Sequence, residues 1–321
     1  MDGYTKAKHQ AAGHEGAMVD ESGMVFIKPT TQQEIDFYTK MQSISYDECR
    51  EYDLDMFLPV FMGTLEYGIT EQVEKTQTVN DELREVGDRQ KSGEPEKPYA
   101  VMENLLFGYT HPSIMDIKLG SLLYDENTPD EKRERLQEVS DTTTSGSLNY
   151  RVCGMKMYNS HLPDLSNFET TNDHIFKDED GYILFDKWYG RALHNDNVLD
   201  HFKMFFTHNN LNESQRNVLL ENMIMRLEVL SQCLRDTELR IRSGSLLFTY
   251  DSNPKRWDEL KNSDPLFPDQ MGYEEDDGEV PTALSQLNLI DFAHARFTPG
   301  EGPDEDIIKG VENLIIVLKQ L

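Results

Sequence analysis

His111-Pro-Ser-Ile-Met-Asp-Ile-Lys-Leu-Gly120 sets an acid and a base two residues apart in an otherwise apolar run. In an extended strand residues i and i+2 share a face. Asp116 and Lys118 are therefore expected to project together, with Met115, Ile117 and Leu119 turned to the core and Gly120 letting the backbone turn or a ligand approach. Two readings of the pair are open at this point. A salt-bridged pair on a surface strand is the commoner arrangement. The other is a catalytic Asp beside a Lys that grips a phosphate, since an anionic substrate needs positive charge where its reacting hydroxyl is held.

The chain has 321 residues, 37% hydrophobic and 28% charged, enough for one large domain or two lobes packed across a cleft. Fifty-nine acidic against 31 basic residues give a formal charge of -28. A field of that sign opposes non-specific capture by nucleic acid or an anionic membrane, so no direct nucleic-acid binding is expected, and an anionic ligand requires a local basic pocket. Cys49, Cys153 and Cys233 are too widely spaced for a zinc knuckle and too few for a disulfide framework, which points to a reducing compartment. The polar start MDGYTKAKHQ and the lack of any 18-residue apolar run argue against a secretory signal and a transmembrane segment.

Apolar patterning predicts strands at 23–28, 99–106, 150–158, 182–185 and 245–250, and order returns over 287–294 with a buried strand that ends before Asp291. Helices are expected at 32–41, 131–139, 196–206, 212–239 and 304–321. In the long helix, Val218, Leu219, Met223, Met225, Leu227, Leu230 and Leu234 form the predicted apolar face. Thr31 followed by Glu34 reads as a capping box, and Pro59 in Phe57–Met62 argues for an edge strand or a turn. Two acid-rich stretches, 66–98 and 251–279, lack the spacing of packed elements and read as surface insertions, the first with an exposed helix at 79–90. The pattern is α+β, strand-rich early and helix-containing later.

Asp291, after the predicted strand ending in Leu289-Ile290, suits a divalent cation, because magnesium favours one or two carboxylates supplemented by phosphate oxygens and water. An ordinary turn-forming acid is the plain alternative. His294 alone reads as a structural histidine, and Lys28 as either a phosphate-binding amine or a solvent-facing lysine. The chain lacks a G-x-x-x-x-G-K-[ST] loop, H-E-x-x-H, G-x-S-x-G and an H-R-D loop, and Ala293 stands where a protein kinase has the glycine of D-F-G.

Pro112-x-x-x-Asp116-x-Lys118-x-Gly120, Ser245-Leu-Leu247 and Ile290-Asp-Phe292 with His294 occur in the order of the inositol polyphosphate kinase signature set, and the chain resembles that family from about residue 11 onwards. The start Ala11-Ala-Gly-His-Glu-Gly16 is similar to its fungal multikinase members. The resemblance implies a two-lobed fold, distantly protein-kinase-like and ATP-grasp-like. A nucleotide-binding lobe would span 1–106 with the insertion 66–98. A second lobe would span 107–321, with substrate-binding helices near 125–139 and the insertion 251–279. It implies ATP and Mg2+ as cofactors and soluble inositol polyphosphates as substrates.

By that resemblance Lys28 holds ATP phosphates, and Glu103 to Leu105 form the connector whose backbone meets adenine. Asp116 orients the attacking hydroxyl, Lys118 contacts substrate phosphate, Ser245 supports the nucleotide side, Asp291 ligates magnesium and His294 touches the inositol phosphate. Lys132, sixteen residues beyond Asp116, falls at a substrate-binding lysine of the family, with Arg135 its companion on one helix face. Pairing of these cations with Asp130, Glu131 and Glu134 is the plain alternative. The family's paired serines are here Gly244-Ser245, with Ser243 one place earlier, and Arg135 replaces a glutamine common in animal multikinases. A nuclear and cytoplasmic location is expected, with basic transcription-factor partners for the acidic insertions. The rival reading is an acidic scaffold, dense at Glu274–Glu279, and the family pattern also tolerates a lipid head-group kinase.

Overall fold

The computed structural model describes residues 3–11, 16–44, 51–65, 97–159, 172–267 and 283–321. The Gly-His start, the helix at 79–90 and the tract Glu274–Glu279 lie outside the described residues.

The described strands, in chain order, are β1 Tyr4–Lys6, β2 Met18–Asp20, β3 Val25–Pro29, β4 Phe61–Leu65, β5 Tyr99–Glu103, β6 Pro112–Leu119, β7 Tyr150–Tyr158, β8 Ile175–Lys177, β9 Tyr182–Phe185, β10 Leu239–Ile241, β11 Ser245–Asp251, β12 Ser285–Ile290 and β13 Ala295–Phe297. The helices are α1 Gln32–Gln42, α2 Asp130–Asp141, α3 Thr144–Leu148, α4 Lys187–Arg191, α5 Val198–Thr207, α6 Glu213–Arg235, α7 Pro254–Glu259 and α8 Glu305–Leu318. One antiparallel sheet runs β1-β2-β3-β5-β4, a second β12-β11-β6-β7-β9-β8, and β10 pairs with β13. Residues 104–111 join the two main sheets, so the expected boundary at 106/107 falls in that connector. As Pro59 implied, β4 is an edge strand.

β6 lies inside the second sheet, flanked by β11 and β7. Met115, Ile117 and Leu119 are buried in the core, as period-two alternation requires. The strand ends at Gly120, φ 83°, where a Cβ would stand 2.7 Å from Asp306 Oδ2. Asp306 closes the turn by accepting from Ser121 N at 2.9 Å, Leu122 N at 3.0 Å and Asn149 Nδ2 at 2.7 Å. Gly120 is therefore required by the turn and by the carboxylate packed against it.

α8 buries Ile307, Ile308, Val311, Leu314 and Leu318 against α6 and the back of the sheet. Gly310 lets it close on β7's entry, since a Cβ there would stand 2.3 Å from Asn149 O. The long helix stops at Arg235 rather than 239, because Leu239 is drawn into β10. Met225, expected on its buried face, is 48% exposed, and Arg226 is buried in its place.

The second acid-rich stretch is corrected by the fold. Through residue 267 it is packed structure and not a solvated insertion. Trp257 is fully buried and donates to Asp251 O at 2.7 Å. Asp251 accepts from Thr110 N and His111 N, and Asp264 from Leu284 N and Ser285 N. Arg226 is tied to Asp264 and to the carbonyls of Pro265 and Leu266. These acids are buried acceptors of backbone N–H groups, a use that composition does not separate from solvation.

Burial pushes the Asp306 carboxyl up, but hydrogen bonds from Ser121, Leu122 and Asn149 outweigh it, leaving its pKa below the ordinary 3.8. A depressed carboxyl contributes stability above its unfolded pKa and loses it as pH falls through the folded value. Asp306→Asn should therefore lower the urea midpoint at pH 7, and the gap from the unsubstituted protein should close as pH falls below 3.8. A gap that persists in acid would show another cause.

Candidate active site

The site is organised around Lys28 on β3. Its ammonium donates to Glu34 Oε1 at 2.9 Å and to Asp291 Oδ1 at 3.1 Å. Burial pulls this lysine's pKa down, yet Asp291 and then Glu34 outweigh it, leaving it above the ordinary 10.5. Glu34, 3% exposed, also accepts from the Thr30 hydroxyl and from Phe292 N at 3.0 Å. The capping box is thus only half formed. Thr31 caps α1 by accepting from Glu34 N at 3.3 Å, but the Glu34 carboxylate turns inward to the lysine.

Asp291 follows β12 in the left-handed region, φ 67°, a conformation that a non-glycine residue holds only when its surroundings fix it. Phe292 behind it stacks on Phe37 and meets Tyr38 edge-on, so the aromatic face of α1 anchors the residue after Asp291. Lys118 donates to Ser243 O at 2.6 Å, with Asp291 Oδ2 3.7 Å away. Burial lowers its pKa, while Asp291, Cys153 and Asp116 raise it, and the balance is upward.

Two cavities meet at these residues. One, of about 490 Å³, has apolar walls from Val19, Phe26, Met102, Leu106, Leu247 and Ile290, and includes the connector residues Glu103 and Leu105. Glu103 accepts from Val60 N at 3.0 Å, and burial raises its carboxyl pKa. The other, of about 390 Å³, is lined by Lys97, Lys118, Arg151, Lys187, Arg191 and Arg242. Lys28, Asp116 and Asp291 line both. Asp116, 7% exposed, therefore stands at the mouth between an apolar chamber and a cationic one.

Of the expected site residues, Lys28, Glu103, Leu105, Asp116, Lys118, Asp291 and His294 line these cavities. His294 is held by Asp125, Nδ1 to Oδ2 2.7 Å. Ser245 lines neither cavity. It is enclosed between β6 and β12, paired with Lys118 and Ile290, and its Oγ has no hydrogen-bond partner among the described residues. Ser243 lines the cationic cavity instead. Lys132 and Arg135 are exposed on α2 and line neither cavity. Arg133 lines a neighbouring space of about 470 Å³ beside His294.

Six residues around the site carry no signal in the sequence. Glu34 reads only as a helix cap, and Lys97, Arg151, Lys187, Arg191 and Arg242 carry no motif of their own, although Arg151 sits on a predicted strand. The Arg151 side chain leaves Nη1 buried without a hydrogen-bond partner among the described residues, as a donor kept for an anion would.

No group of three or more His, Cys, Asp or Glu able to hold a metal occurs among the described residues. The donor set nevertheless fits a cation that shares phosphate oxygens, because such a site needs only one or two carboxylates. Asp291, with Asp116 on the same shared wall, supplies them.

Paired sheets, a lysine–glutamate pair on strand and helix, and a carboxylate after β12 define a kinase-like phosphotransferase site. The inositol polyphosphate kinase family profile matches residues 99–319, and the chain belongs to that family. It is 33% identical to the inositol polyphosphate multikinase of Saccharomyces cerevisiae, over 98% of each chain. It is 28% identical to that of Schizosaccharomyces pombe, over 95% of this chain and 93% of the other. The solved inositol phosphate multikinase Ipk2 of S. cerevisiae, in complex with ADP and Mn2+, superposes with TM-score 0.73 at 34% identity, covering 93% of this chain and 99% of that one.

Removing one partner of a buried ion pair leaves the other charge uncompensated. Glu34→Ala should therefore cost about 3–5 kcal/mol of unfolding free energy. In a Lys28→Met background the loss should be smaller by at least about 1 kcal/mol. Equal losses in the two backgrounds, measured by urea denaturation, would show that the pair is not coupled.

Proposed function

We propose that the chain is an ATP-dependent inositol polyphosphate multikinase, transferring the γ-phosphoryl group to hydroxyls of soluble inositol tris- and tetrakisphosphates towards the pentakisphosphate. The observation that carries this reading is the shared wall. Lys28, Asp116 and Asp291 stand between an apolar chamber suited to a nucleobase and a cationic chamber suited to a phosphorylated acceptor. The near full-length likeness to the yeast multikinase supports the same activity.

The nucleotide base enters the apolar chamber against the connector Glu103–Leu106, and Lys28, fixed by Glu34, meets its phosphates. The acceptor occupies the cationic chamber, where Lys118, Arg151, Lys187 and Arg191 balance its phosphates and His294 forms part of the wall. Asp116 orients the acceptor hydroxyl and takes its proton as the new O–P bond forms in line with the breaking bond to ADP. Such transfers have a loose transition state, so positioning and charge neutralisation do most of the catalytic work. Asp291 would hold the divalent cation, Mg2+ or Mn2+, which would supply further neutralisation of the nucleotide phosphates. Ser245, enclosed and paired with Lys118 across β6 and β11, supports the nucleotide side from behind the chamber wall. Lys132 and Arg135, exposed on α2, stand as outer contacts, a reading supported by the family resemblance.

Asp116→Asn should lower turnover of defined inositol phosphates by at least about 10²-fold with nucleotide binding retained. Lys118→Ala should raise the acceptor KM more than the ATP KM. Incubation with ATP, Mg2+ and separate inositol phosphate isomers, with a phosphoinositide vesicle as the comparison, checks both. Full turnover in Asp116→Asn, or phosphorylation of the lipid alone, would reject the assignment.

We extend the proposal to a nuclear and cytoplasmic location, with basic transcription-associated proteins meeting the acidic tract. Its support is the resemblance to fungal multikinases and the density of Glu274–Glu279. Deleting 274–279 should lower binding to basic partners while kinase activity survives, and unchanged partner binding would refute the extension.

A further inference from the structure

Cys153 stands where the pairing of β6 with β7 slips. Asp116 pairs with Gly154 and Ile117 with Val152, so Cys153 is the extra residue of a bulge. Val152 and Met155 both face the core, and the bulge turns Cys153, with Arg151, into the cationic cavity. The thiol is free and the residue is 9% exposed. Arg151 Nη2 lies 3.8 Å from its sulfur, and Lys118 and Arg191 are both within electrostatic reach of it. Arg151 itself is 8% exposed, with Nη1 buried and unpartnered among the described residues. An anion-seeking donor and a nucleophile therefore share one wall.

The thiolate is the attacking form of cysteine, and reactive cysteines occupy electropositive, partly accessible pockets. Cations arranged for phosphates are equally complementary to the carboxylates of an anionic disulfide. We propose that Cys153 is a thiol-modification site that glutathione disulfide reaches through the cationic cavity, and that the mixed disulfide formed there closes the cavity to the phosphorylated acceptor. In the exchange the Cys153 sulfur attacks one sulfur of the disulfide. A new S–S bond forms as the old one breaks, and the departing glutathione thiolate takes up the proton that Cys153 gave up. A dithiol reverses the step. The closure rests on the acceptor reading of this cavity, whereas the adduct does not.

The test treats the full chain with glutathione disulfide and maps adducts by mass spectrometry of peptides prepared without reductant. The expected result is an adduct on Cys153, with Cys233, which is buried and lines neither cavity, unmodified. Inositol hexakisphosphate should slow its formation at least about fivefold by competing for the same cations. Phosphorylation of the acceptor should fall in proportion to the adduct and return with dithiothreitol, while Cys153→Ser keeps its own untreated activity throughout. In parallel, anionic iodoacetate should gain on neutral iodoacetamide by about tenfold relative to their rates with free glutathione, and Arg191→Gln should reduce that gain. Absence of a Cys153 adduct, or an adduct that the polyphosphate does not slow, overturns the site. An adduct with undiminished phosphorylation overturns the closure. A chain that forms the protected adduct but phosphorylates no inositol phosphate before treatment refutes the kinase reading and supports the thiol site.

Discussion

A buried ammonium ties the two sheets to each other. Lys28 comes from the first sheet, Asp291 from the end of the second, and Glu34 from the helix that follows β3. Desolvation works against such a charge, and a lone buried lysine would lose its proton. Two carboxylates outweigh that cost here, as the upward direction of its pKa records. The geometry is kept from behind by stacking of Phe37 on Phe292 and Phe297 and of Tyr38 on Phe61. The aromatic face of α1 therefore fixes Glu34 through packing while Glu34 fixes Lys28 through charge.

Local charge has to work against the charge of the whole molecule. A net -28 repels a polyanion at long range, but salt at physiological strength screens that field over roughly 8 Å. The lysines and arginines converge instead on one cavity of about 390 Å³. The acids on its walls, Glu34, Asp116 and Asp291, lie on the side shared with the apolar chamber or next to it. The two chambers thus carry different local fields although they touch.

Periodicity made most elements legible, because a two-residue or 3.6-residue repeat is a direct consequence of burying one face. β6, α1 and α8 were readable for that reason, and so was the shared face of Asp116 and Lys118. The same logic failed where a polar residue is buried to satisfy another polar group. Glu34 reads as a cap, Asp251 and Asp264 as part of a solvated insertion, and Met225 as the buried residue where Arg226 is. Each is specified by partners distant in sequence, such as Phe292 for Glu34 and Ser285 for Asp264, and no local window contains them. The cationic wall was illegible for the same reason, since Arg151 is brought beside Lys118 only by strand pairing.

The bulge in β7 shows how much of the site depends on one irregular residue. A strict alternation would set Val152 and Met155 on opposite faces, because they are an odd number of positions apart. One of them would then enter the cationic cavity, or Arg151 would turn into the core. Insertion of a single residue at Cys153 allows Val152 and Met155 both to be buried while Arg151 and Cys153 face the cavity. It also puts Gly154, which has no side chain, opposite Asp116. Asp116 consequently pairs across β6 and β7 with a residue that adds no side chain to the chamber wall. Loss of regular pairing at that point is the physical condition for the acid and the cations to share a chamber.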